Sequence, residues 1–335
     1  MVVITIIGLQ FMWARRSEID IEQYDWLIQN RNAREYVLPD KYTTLVQPEE
    51  PKCDSQLRLL IMVPSSPNNI EIRQAIRDTW GHRDSDANSR LLFFLGHNGN
   101  VKHQRILDTV LSEAQEHNDV IIEDFVDAYV NLTLKTIFML KWIVNNCNSV
   151  PFILKTDDDM IINVHRLQQE LPMRFDPSKS LILGRIQENA VPYRDKSSKW
   201  YLPQILYEPN YFPTFAAGTA YVITQKALPE LYSGALDTPL IPLEDVFLTG
   251  LVANAKLGIP LISIEGFHNN KPSISQHPCL FYPHFTLHQL NPGQMRKIWL
   301  ALRNLKPQDC NTYLTRFLIY MFGIGKPQVN KTYTW

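Results

Sequence analysis

The first half of the chain alternates short apolar runs with segments of helical spacing. The apolar runs have the length of buried strands and lie at residues 57–63, 90–96, 119–125 and 152–154. The segments between them carry apolar residues three and four positions apart and lie at residues 71–80, 101–114 and 131–146. This alternation predicts an α/β domain in which a Rossmann-like, mostly parallel sheet is flanked by helices, with ligands bound at the carboxyl ends of the strands.

Three consecutive carboxylates, Asp157–Asp159, follow the last of these apolar runs. Adjacent acids disfavour a strand and indicate a turn at its carboxyl end. Such a turn presents oxygen ligands to Mg²⁺ or Mn²⁺, which often share their remaining sites with substrate phosphates. A solvated acidic turn is the alternative. The apolar residues 160–162 on the far side favour a functional site, because an acidic cluster between two buried segments is otherwise costly.

Composition narrows the classes of function. The 335 residues are 45% apolar and 20% charged, which is ordinary for a globular protein, and the net charge of −1 gives no basic field for nucleic acid. No G-x-G-x-x-G follows the first strand and no G-x-x-x-x-G-K-[ST] is present, which disfavours dinucleotide-binding and P-loop proteins.

The cysteines Cys53, Cys147, Cys279 and Cys310 include no C-x-x-C pair, which disfavours a structural zinc site. In an oxidising compartment they could form two disulfides in any of three pairings. In the cytosol they would be buried thiols, and the number of cysteines alone does not decide between disulfides and thiols.

The N-terminal residues are interpreted as an anchor and a linker. Residues 1–14 are mostly apolar and are followed by two arginines, but a helix of this length spans roughly 20 Å against a hydrocarbon core of about 30 Å. We therefore interpret residues 1–14 as a short signal-anchor or its remnant, with a poor signal peptide or a frayed apolar terminus as alternatives. Residues 15–54 are polar without a clear period and predict a stem or linker.

Two further features have both a functional and a structural interpretation. Arg73 and Arg77 share one helix face after the first strand, where they could meet a nucleotide phosphate or a uracil ring; a solvated helix face is the alternative. Residues 199–213 interleave prolines with aromatic rings that include Trp200 and Tyr211. Such a wall suits the faces of sugars, and an aromatic corner of the core is the alternative.

The second half offers candidates for a base and a metal ligand. Glu244 and Asp245 open a predicted helix, where acids favour the helix dipole but could also present a general base. His284 and His288 are four residues apart, and the nearby acidic cluster favours one of them as a metal ligand.

Five blocks, in this order, resemble glycosyltransferase family 31, the β-1,3-galactosyltransferases and β-1,3-N-acetylglucosaminyltransferases. They are IRQAIRDTWG (72–81), EDFVDAYVNLTLKT (123–136), FILKTDDDM (152–160), KWYLP with YFPTFAAGTAYV (199–222) and EDVFLTGLVANAKLGIP (244–260). The blocks KWYLP and EDVFLTG are closer to the galactosyltransferase branch.

The resemblance implies a GT-A nucleotide-sugar transferase fold over residues 55–305, followed by a C-terminal extension at 306–335. It implies an inverting, Mn²⁺-dependent enzyme that moves galactose from UDP-galactose to the 3-hydroxyl of a glycoprotein or glycolipid glycan. UDP-N-acetylglucosamine as donor, or a catalytically silent lectin-like member, is the alternative. It also implies a single-pass type II protein of the Golgi membrane with a lumenal catalytic domain.

The resemblance also implies roles for individual residues. The acidic motif supplies the metal ligands Asp157 and Asp159, and Asp157 and Asp158 also belong to the donor site. His288 matches the metal-binding histidine. Asp245 takes the place of the catalytic base.

Further residues of the matching blocks line the substrate sites by the same resemblance. Arg73 and Arg77 fall in the donor-binding block. The substrate-binding positions are Trp200, Tyr211, Gly218 and Glu244. Asn131 and Asn330 lie in N-x-T sequons, which suit a lumenal chain.

Overall fold

The computed structural model describes residues 24–49, 53–82, 88–97, 104–269, 278–281 and 284–305. The strands are β1 (Thr44–Val46), β2 (Leu59–Pro64), β3 (Ser89–His97), β4 (Val120–Val126), β5 (Phe152–Thr156), β6 (Ile161–Ile162), β7 (Ile182–Gln187), β8 (Phe215–Thr224), β9 (Leu261–Ser263) and β10 (Thr286–Leu287). The α-helices are α1 (Asp25–Gln29), α2 (Ala33–Val37), α3 (Ile70–Arg77), α4 (Gln104–His117), α5 (Leu132–Asn146), α6 (Val164–Arg174), α7 (Ala227–Leu236) and α8 (Pro292–Arg303). Short 3₁₀ turns occupy Tyr129–Asn131 and Pro278–Leu280, and Val246–Lys256 form a π-helix.

Eight strands form the central sheet in the order β1-β4-β3-β2-β5-β8-β7-β9. The neighbours β4, β3, β2 and β5 are parallel to one another, and β7 is parallel to β9. Among the described strands of this sheet, β1 and β8 are the ones that pair with their neighbours in the antiparallel sense. The predicted α/β class with a mostly parallel sheet is confirmed.

The sheet is buried on both faces, which explains the near-continuous apolar runs of its strands. Because successive side chains of a strand point to opposite faces, Leu60 and Met62 of β2 face the layer of α5, α7 and the π-helix. Ile61 and Val63 face the layer of α3, α4, α6 and α8. The sheet is therefore the rigid layer that holds the ends of its strands in place.

The small sheet of β6 and β10 joins two distant parts of the chain. Leu287 pairs with Ile161, and the backbone N–H of Leu290 donates to the carbonyl of Asp159 at 3.0 Å. This antiparallel contact brings the segment around His288 to the acidic turn that follows β5.

Residues 24–49, which were predicted to belong to a stem, are packed against the domain. Leu27 and Val37 are buried in the core, and β1 pairs with β4. The ammonium group of Lys141 donates to three backbone carbonyls of this segment, those of Val37, Leu38 and Lys41. The two helices of the segment have five residues each, too few to produce a recognisable period in the sequence.

A disulfide joins Cys53 to Cys147 at the end of α5, so one of the possible pairings is present. Cys279 is also disulfide-bonded. The predicted anchor at residues 1–14 and the extension at 306–335 lie outside the described residues. Within the described ranges, no helix combines the length and apolar character needed to cross a bilayer.

Candidate active site

A cavity of about 440 Å³ opens at the carboxyl ends of β2, β4 and β5. Its walls come from the loop after β2, the turn after β4, the first turns of α5 and the acidic turn after β5. The lining of the cavity includes Ser65, Asn69, Tyr129, Lys135, Lys155, Asp157, Asp158, Asp159 and Glu244. A ligand site at this edge of the sheet is what the strand–helix alternation predicts.

Asp157, Asp159 and His288 each offer one ligand atom, and these atoms lie within 4.8 Å of one another. His288 Nε2 is 3.5 Å from an Asp159 carboxylate oxygen. Its other ring nitrogen, Nδ1, is 2.7 Å from the backbone carbonyl of Asn269. A carbonyl only accepts hydrogen bonds, so we assign the proton to Nδ1, which leaves the Nε2 lone pair facing the carboxylates.

This ligand set fits a divalent cation. Carboxylates and imidazoles both bind divalent metals, and a histidine whose second nitrogen donates to a carbonyl is a common arrangement at metal sites. Burial raises the pKa of Asp159 to about 6; His288 opposes the shift, and the neighbouring Asp157 and Asp158 add to it. A bound cation would relieve this concentration of negative charge.

Asp158 points to the loop after β2. Its carboxylate accepts hydrogen bonds from the Ser65 hydroxyl at 2.7 Å and from the Asn69 side-chain amide at 2.9 Å. Burial raises the pKa of Asp158, although these two hydrogen bonds oppose the shift. The middle acid of the triplet therefore joins two walls of the cavity, which fits its predicted place in the donor site.

Lys155 is a buried cation directly before the acidic turn. Its ammonium nitrogen is 2.6 Å from an Asp157 oxygen, 2.5 Å from the Gly218 carbonyl and 3.5 Å from a Glu244 oxygen. Burial lowers the pKa of Lys155, but Asp157 and Glu244 outweigh that cost and the pKa is raised. Lys155 is thus charged at neutral pH, although it lies in a buried strand of the sheet.

Asp245 immediately precedes the π-helix and is anchored by two backbone groups. One carboxylate oxygen accepts from the Gly218 N–H at 3.0 Å and the other from the Val246 N–H at 2.9 Å. Burial and then Glu244 raise the pKa of Asp245 to about 6, against the opposing effect of these hydrogen bonds and of Lys155. A carboxylate with a pKa near the operating pH suits a general base.

The close approach of Asp245 favours glycine at position 218. A Cβ atom at this position would lie 3.1 Å from the Asp245 Cβ and 3.2 Å from a carboxylate oxygen. Gly218 was predicted to bind substrate; in the structure its backbone contacts Asp245 and Lys155.

Glu244 lines the cavity beside Asp245 and is 8% exposed. One carboxylate oxygen accepts a 2.6 Å hydrogen bond from the Tyr221 hydroxyl. The other oxygen faces Lys155. The two predicted acids are therefore held differently. Side chains contact the Glu244 carboxylate, whereas backbone N–H groups contact the Asp245 carboxylate.

Arg73 and Arg77 lie outside the cavity wall. Arg73 is fully buried and pairs with Glu113 at 2.6 Å, while Arg77 pairs with Glu113 and with Asp119, both at 2.8 Å. Arg73 also donates to the Ser66 carbonyl at 2.5 Å and so supports the loop after β2. Both guanidinium groups are paired with carboxylates inside the protein, and Arg77 Nη1 has no hydrogen-bond partner among the described residues. The contact of these arginines with the donor stays a prediction.

Trp200 and Tyr211 are 44% and 62% exposed and belong to the connection between β7 and β8. This connection begins at the carboxyl end of β7, which runs parallel to β5, so it lies at the same edge of the sheet as the acidic turn. The Arg194 guanidinium donates to the carbonyls of Leu202, Tyr207 and Pro209 and holds the connection in place. The Trp200 ring lies 5.3 Å from that of Tyr193.

The predicted sequon at Asn131 lies next to the cavity wall. The Asn131 side-chain amide donates to the Val126 carbonyl at 2.8 Å. Thr133, which completes the sequon, is 2% exposed and donates to the Ile241 carbonyl. A glycan at Asn131 stays a prediction, and its attachment would have to precede folding; Asn330 lies outside the described residues.

Several residues of the site escaped the reading of the sequence, among them Lys155, Lys135 and Tyr129. Lys135 is buried, pairs with Asp127 at 2.7 Å and donates to the Ser65 carbonyl. A lysine inside the apolar run FILKT was a usable signal, because a buried cation needs a carboxylate partner. Tyr129, 55% exposed at the cavity, gave no comparable signal.

A mostly parallel α/β sheet, an acidic turn that could hold a cation and a nearby carboxylate with a raised pKa are compatible with a glycosyltransferase. Comparison with known proteins agrees: the family profile described as Galactosyltransferase matches residues 71–265, and the chain belongs to this family. The predicted family, the glycosyltransferase activity and the α/β fold with a mostly parallel sheet are confirmed.

Two relatives match along most of their length. Beta-1,3-galactosyltransferase 1 of Mus musculus is 33% identical over 276 residues, which cover 81% of this chain and 82% of the relative. Beta-1,3-galactosyltransferase 5 of Mus musculus is 32% identical over 258 residues, 75% of this chain and 81% of the relative. The crystal structure of mouse xyloside xylosyltransferase 1 covers 70% of this chain and 97% of its own at 14% identity, with a TM-score of 0.36, which is too distant to support a conclusion.

Proposed function

We propose that this protein is an inverting, Mn²⁺-dependent β-1,3-galactosyltransferase that transfers galactose from UDP-galactose to the 3-hydroxyl of a glycan. The observation that carries the proposal is that the proposed metal ligands and the proposed base lie close together. Lys155 contacts both Asp157, one of the metal ligands, and Glu244, the residue before the base Asp245. The names of the relatives, which are β-1,3-galactosyltransferases, favour galactose and the β-1,3 bond.

The donor would lie in the cavity at the carboxyl ends of the strands. Asp157, Asp159 and His288 would hold Mn²⁺, which when bound neutralises the negative charge that grows on the departing diphosphate. Asp158 lines the same cavity between the acidic turn and the loop after β2, and the exposed ring of Tyr129 offers a face for the nucleoside base.

The chemical step needs one base. Asp245 takes the proton of the acceptor 3-hydroxyl while that oxygen forms a bond to the anomeric carbon of the sugar. The bond from the anomeric carbon to the phosphate oxygen breaks at the same time, and UDP leaves with the bonding electrons. Direct attack inverts the configuration and requires no carboxylate nucleophile on the enzyme.

The acceptor would approach from the connection between β7 and β8. Trp200 and Tyr211 present exposed rings there, and aromatic faces bind the apolar faces of sugars. Glycans of glycoproteins or glycolipids are the proposed acceptors.

We also propose that the enzyme acts in the Golgi lumen, anchored through residues 1–14 as a type II membrane protein. The disulfide between Cys53 and Cys147 supports an oxidising compartment. Fluorescence microscopy of the tagged full chain, combined with protease protection in sealed Golgi vesicles, tests this placement. A catalytic domain that protease digests in intact vesicles would contradict it.

The decisive experiment is UDP release by the full chain in detergent, with UDP-galactose, UDP-N-acetylglucosamine or UDP-N-acetylgalactosamine and a panel of glycan acceptors. We expect release from UDP-galactose with Mn²⁺ and none with EDTA. Release from UDP-N-acetylglucosamine alone would reassign the donor. Binding of UDP and Mn²⁺ without turnover on any donor would indicate a silent member of the fold.

A further inference from the structure

We propose that Lys155 is a positioning residue that fixes the base Asp245 relative to the metal-binding carboxylate Asp157. The inference rests on the proposed function and concerns the same site. The proposed chemical step gives this lysine no role of its own, because Asp245 takes the proton and Asp157, Asp159 and His288 would hold the metal.

The position of Lys155 is costly unless its charge has partners. It lies in β5, directly opposite Tyr221 of β8, and is 4% exposed. A buried ammonium group loses its hydration and is stable only with carboxylates and carbonyls around it. The three groups around the Lys155 nitrogen therefore stabilise its charge, and the lysine in turn fixes the positions of these groups.

These three groups belong to three different elements. Asp157 belongs to the acidic turn, Gly218 to β8 and Glu244 to the segment before the π-helix. The turn carries the metal ligands and the segment carries the base. Lys155 is thus a direct link between the two parts of the site that must act on one sugar.

Gly218 transmits this link to the base. Its carbonyl accepts from Lys155 and its N–H donates to Asp245, so a shift of the Gly218 backbone moves the base. The absence of a Cβ lets Asp245 approach this closely, so the contact leaves little freedom. A displacement of about 1 Å in such a constellation is enough to lower a rate by on the order of 100-fold.

Charge gives a second signature of the role. The titratable groups that face Asp245 are Glu244 beside it, Lys155 of β5, Tyr221 of β8 and Tyr129 at the cavity. Lys155 is the cation of this set. Its removal would favour the protonated form of Asp245 and move the acid limb of the rate profile to higher pH.

The test compares Lys155→Met with the wild-type full chain, using UDP-galactose and Mn²⁺. We expect kcat to fall about 100-fold and the donor KM to change less than about threefold, because positioning acts in the transition state. We expect the acid limb of kcat/KM to rise by about one pH unit. Lys155→Arg, which keeps the charge, should retain the wild-type acid limb.

Lys141→Met is the matched control. Lys141 is another buried lysine, 4% exposed, held by carbonyls of the N-terminal segment away from the cavity. We expect its loss to lower the melting temperature and to leave kcat and the acid limb unchanged. If Lys155→Met does not fold, Lys155→Gln keeps a donor for the Gly218 carbonyl, and the same shift of the acid limb is expected.

Three results would overturn the proposal. They are a Lys155→Met enzyme with kcat within about threefold of the wild type, an equal kcat loss in Lys141→Met, and an acid limb in Lys155→Arg that matches Lys155→Met. An inactive wild-type chain would instead refute the proposed function, so the two failures are distinguishable.

Discussion

Two charged clusters lie on either side of the loop after β2, and they differ in how their charges are balanced. On the α3 side, Arg73 and Arg77 meet Glu113 and Asp119 in contacts of 2.6 to 2.8 Å. Two cations face two carboxylates, and little of either is exposed. The charges of this cluster are balanced within the protein, and the Arg77 Nη1 atom is the part of it that has no hydrogen-bond partner among the described residues.

The cluster after β5 is unbalanced. Six carboxylates gather around two lysines, Lys135 and Lys155; the carboxylates are those of Asp127, Asp157, Asp158, Asp159, Glu244 and Asp245. The pKa values of Asp159 and Asp245 are both raised to about 6, whereas the pKa of Glu113 on the α3 side is lowered, because its arginine partners outweigh its burial. An excess of negative charge that faces a cavity indicates a site for a cation and for proton transfer.

The largest effect is expected on kcat, when the proposed base Asp245 of the unbalanced cluster is replaced. Asp245→Asn keeps the shape of the side chain but cannot take a proton, so kcat should fall about 1,000-fold while UDP and Mn²⁺ binding by calorimetry stays near the wild type. In the wild type, activity should decline as the pH drops below about 6, because Asp245 becomes protonated. Turnover of the Asn variant close to the wild type would refute the assignment.

The next largest effect is expected in the balanced cluster, where a substitution should lower the free energy of unfolding. Arg77→Met leaves Glu113 and Asp119 short of a partner, and breaking such a pair should lower the free energy of unfolding by about 3 kcal/mol. The donor KM should not change. Arg34→Met removes an exposed pair with Asp237 and should cost less than about 1 kcal/mol.

Thermal and urea unfolding measure the stability of both variants, and initial rates give the donor KM. A tenfold rise of the donor KM in Arg77→Met, at unchanged melting temperature, would support the predicted contact between this arginine and the donor and would remove the contrast between the two clusters.

The same contrast explains what could be predicted from the sequence. The acidic turn was predictable because a buried strand and three acids are adjacent in the chain. The helix of Arg73 and Arg77 was predicted correctly, but their partners come from α4 and from the residue before β4, about forty positions away. Sequence spacing shows which face a side chain occupies and not which charge meets it in the fold.

Two other parts of the molecule show the same limit. His288 was assigned through the resemblance, since only the pairing of β6 with β10 brings it to Asp159. The N-terminal segment was predicted to be a linker because α1 and α2 are too short to show a period, although Leu27 and Val37 are buried. Contacts between distant segments are set by packing, which the local pattern does not contain.

A smaller effect on kcat is expected when the contact between Gly218 and Asp245 in the unbalanced cluster is disturbed. Gly218→Ala places a methyl group 3.1 to 3.2 Å from Asp245, so the carboxylate must move by a few tenths of an ångström. We expect kcat to fall about tenfold, since the base loses its alignment with the acceptor.

Gly293→Ala is the control for this substitution. A Cβ there would lie 3.6 Å from the Asn291 side chain, an ordinary contact, and Gly293 lies in the first turn of α8 away from Asp245. Its kcat should equal that of the wild type. Equal rates for the two alanine variants, measured under saturating donor and acceptor, would show that the contact between Gly218 and Asp245 does not position the base.

The smallest expected effect lies at the rim, where no charge is involved. Trp200→Ala removes an exposed ring from the connection between β7 and β8 and should raise the acceptor KM about fivefold, the equivalent of roughly 1 kcal/mol for one aromatic contact. The donor KM and the pH profile should be unchanged, because the ring is not among the groups around Asp245. Tyr42→Ala is the matched control: Tyr42 is 76% exposed beside the edge strand β1, on the opposite side of the sheet. Initial rates at varied acceptor concentration measure both. A rise in donor KM instead of acceptor KM would move Trp200 from the acceptor side of the site to the donor side.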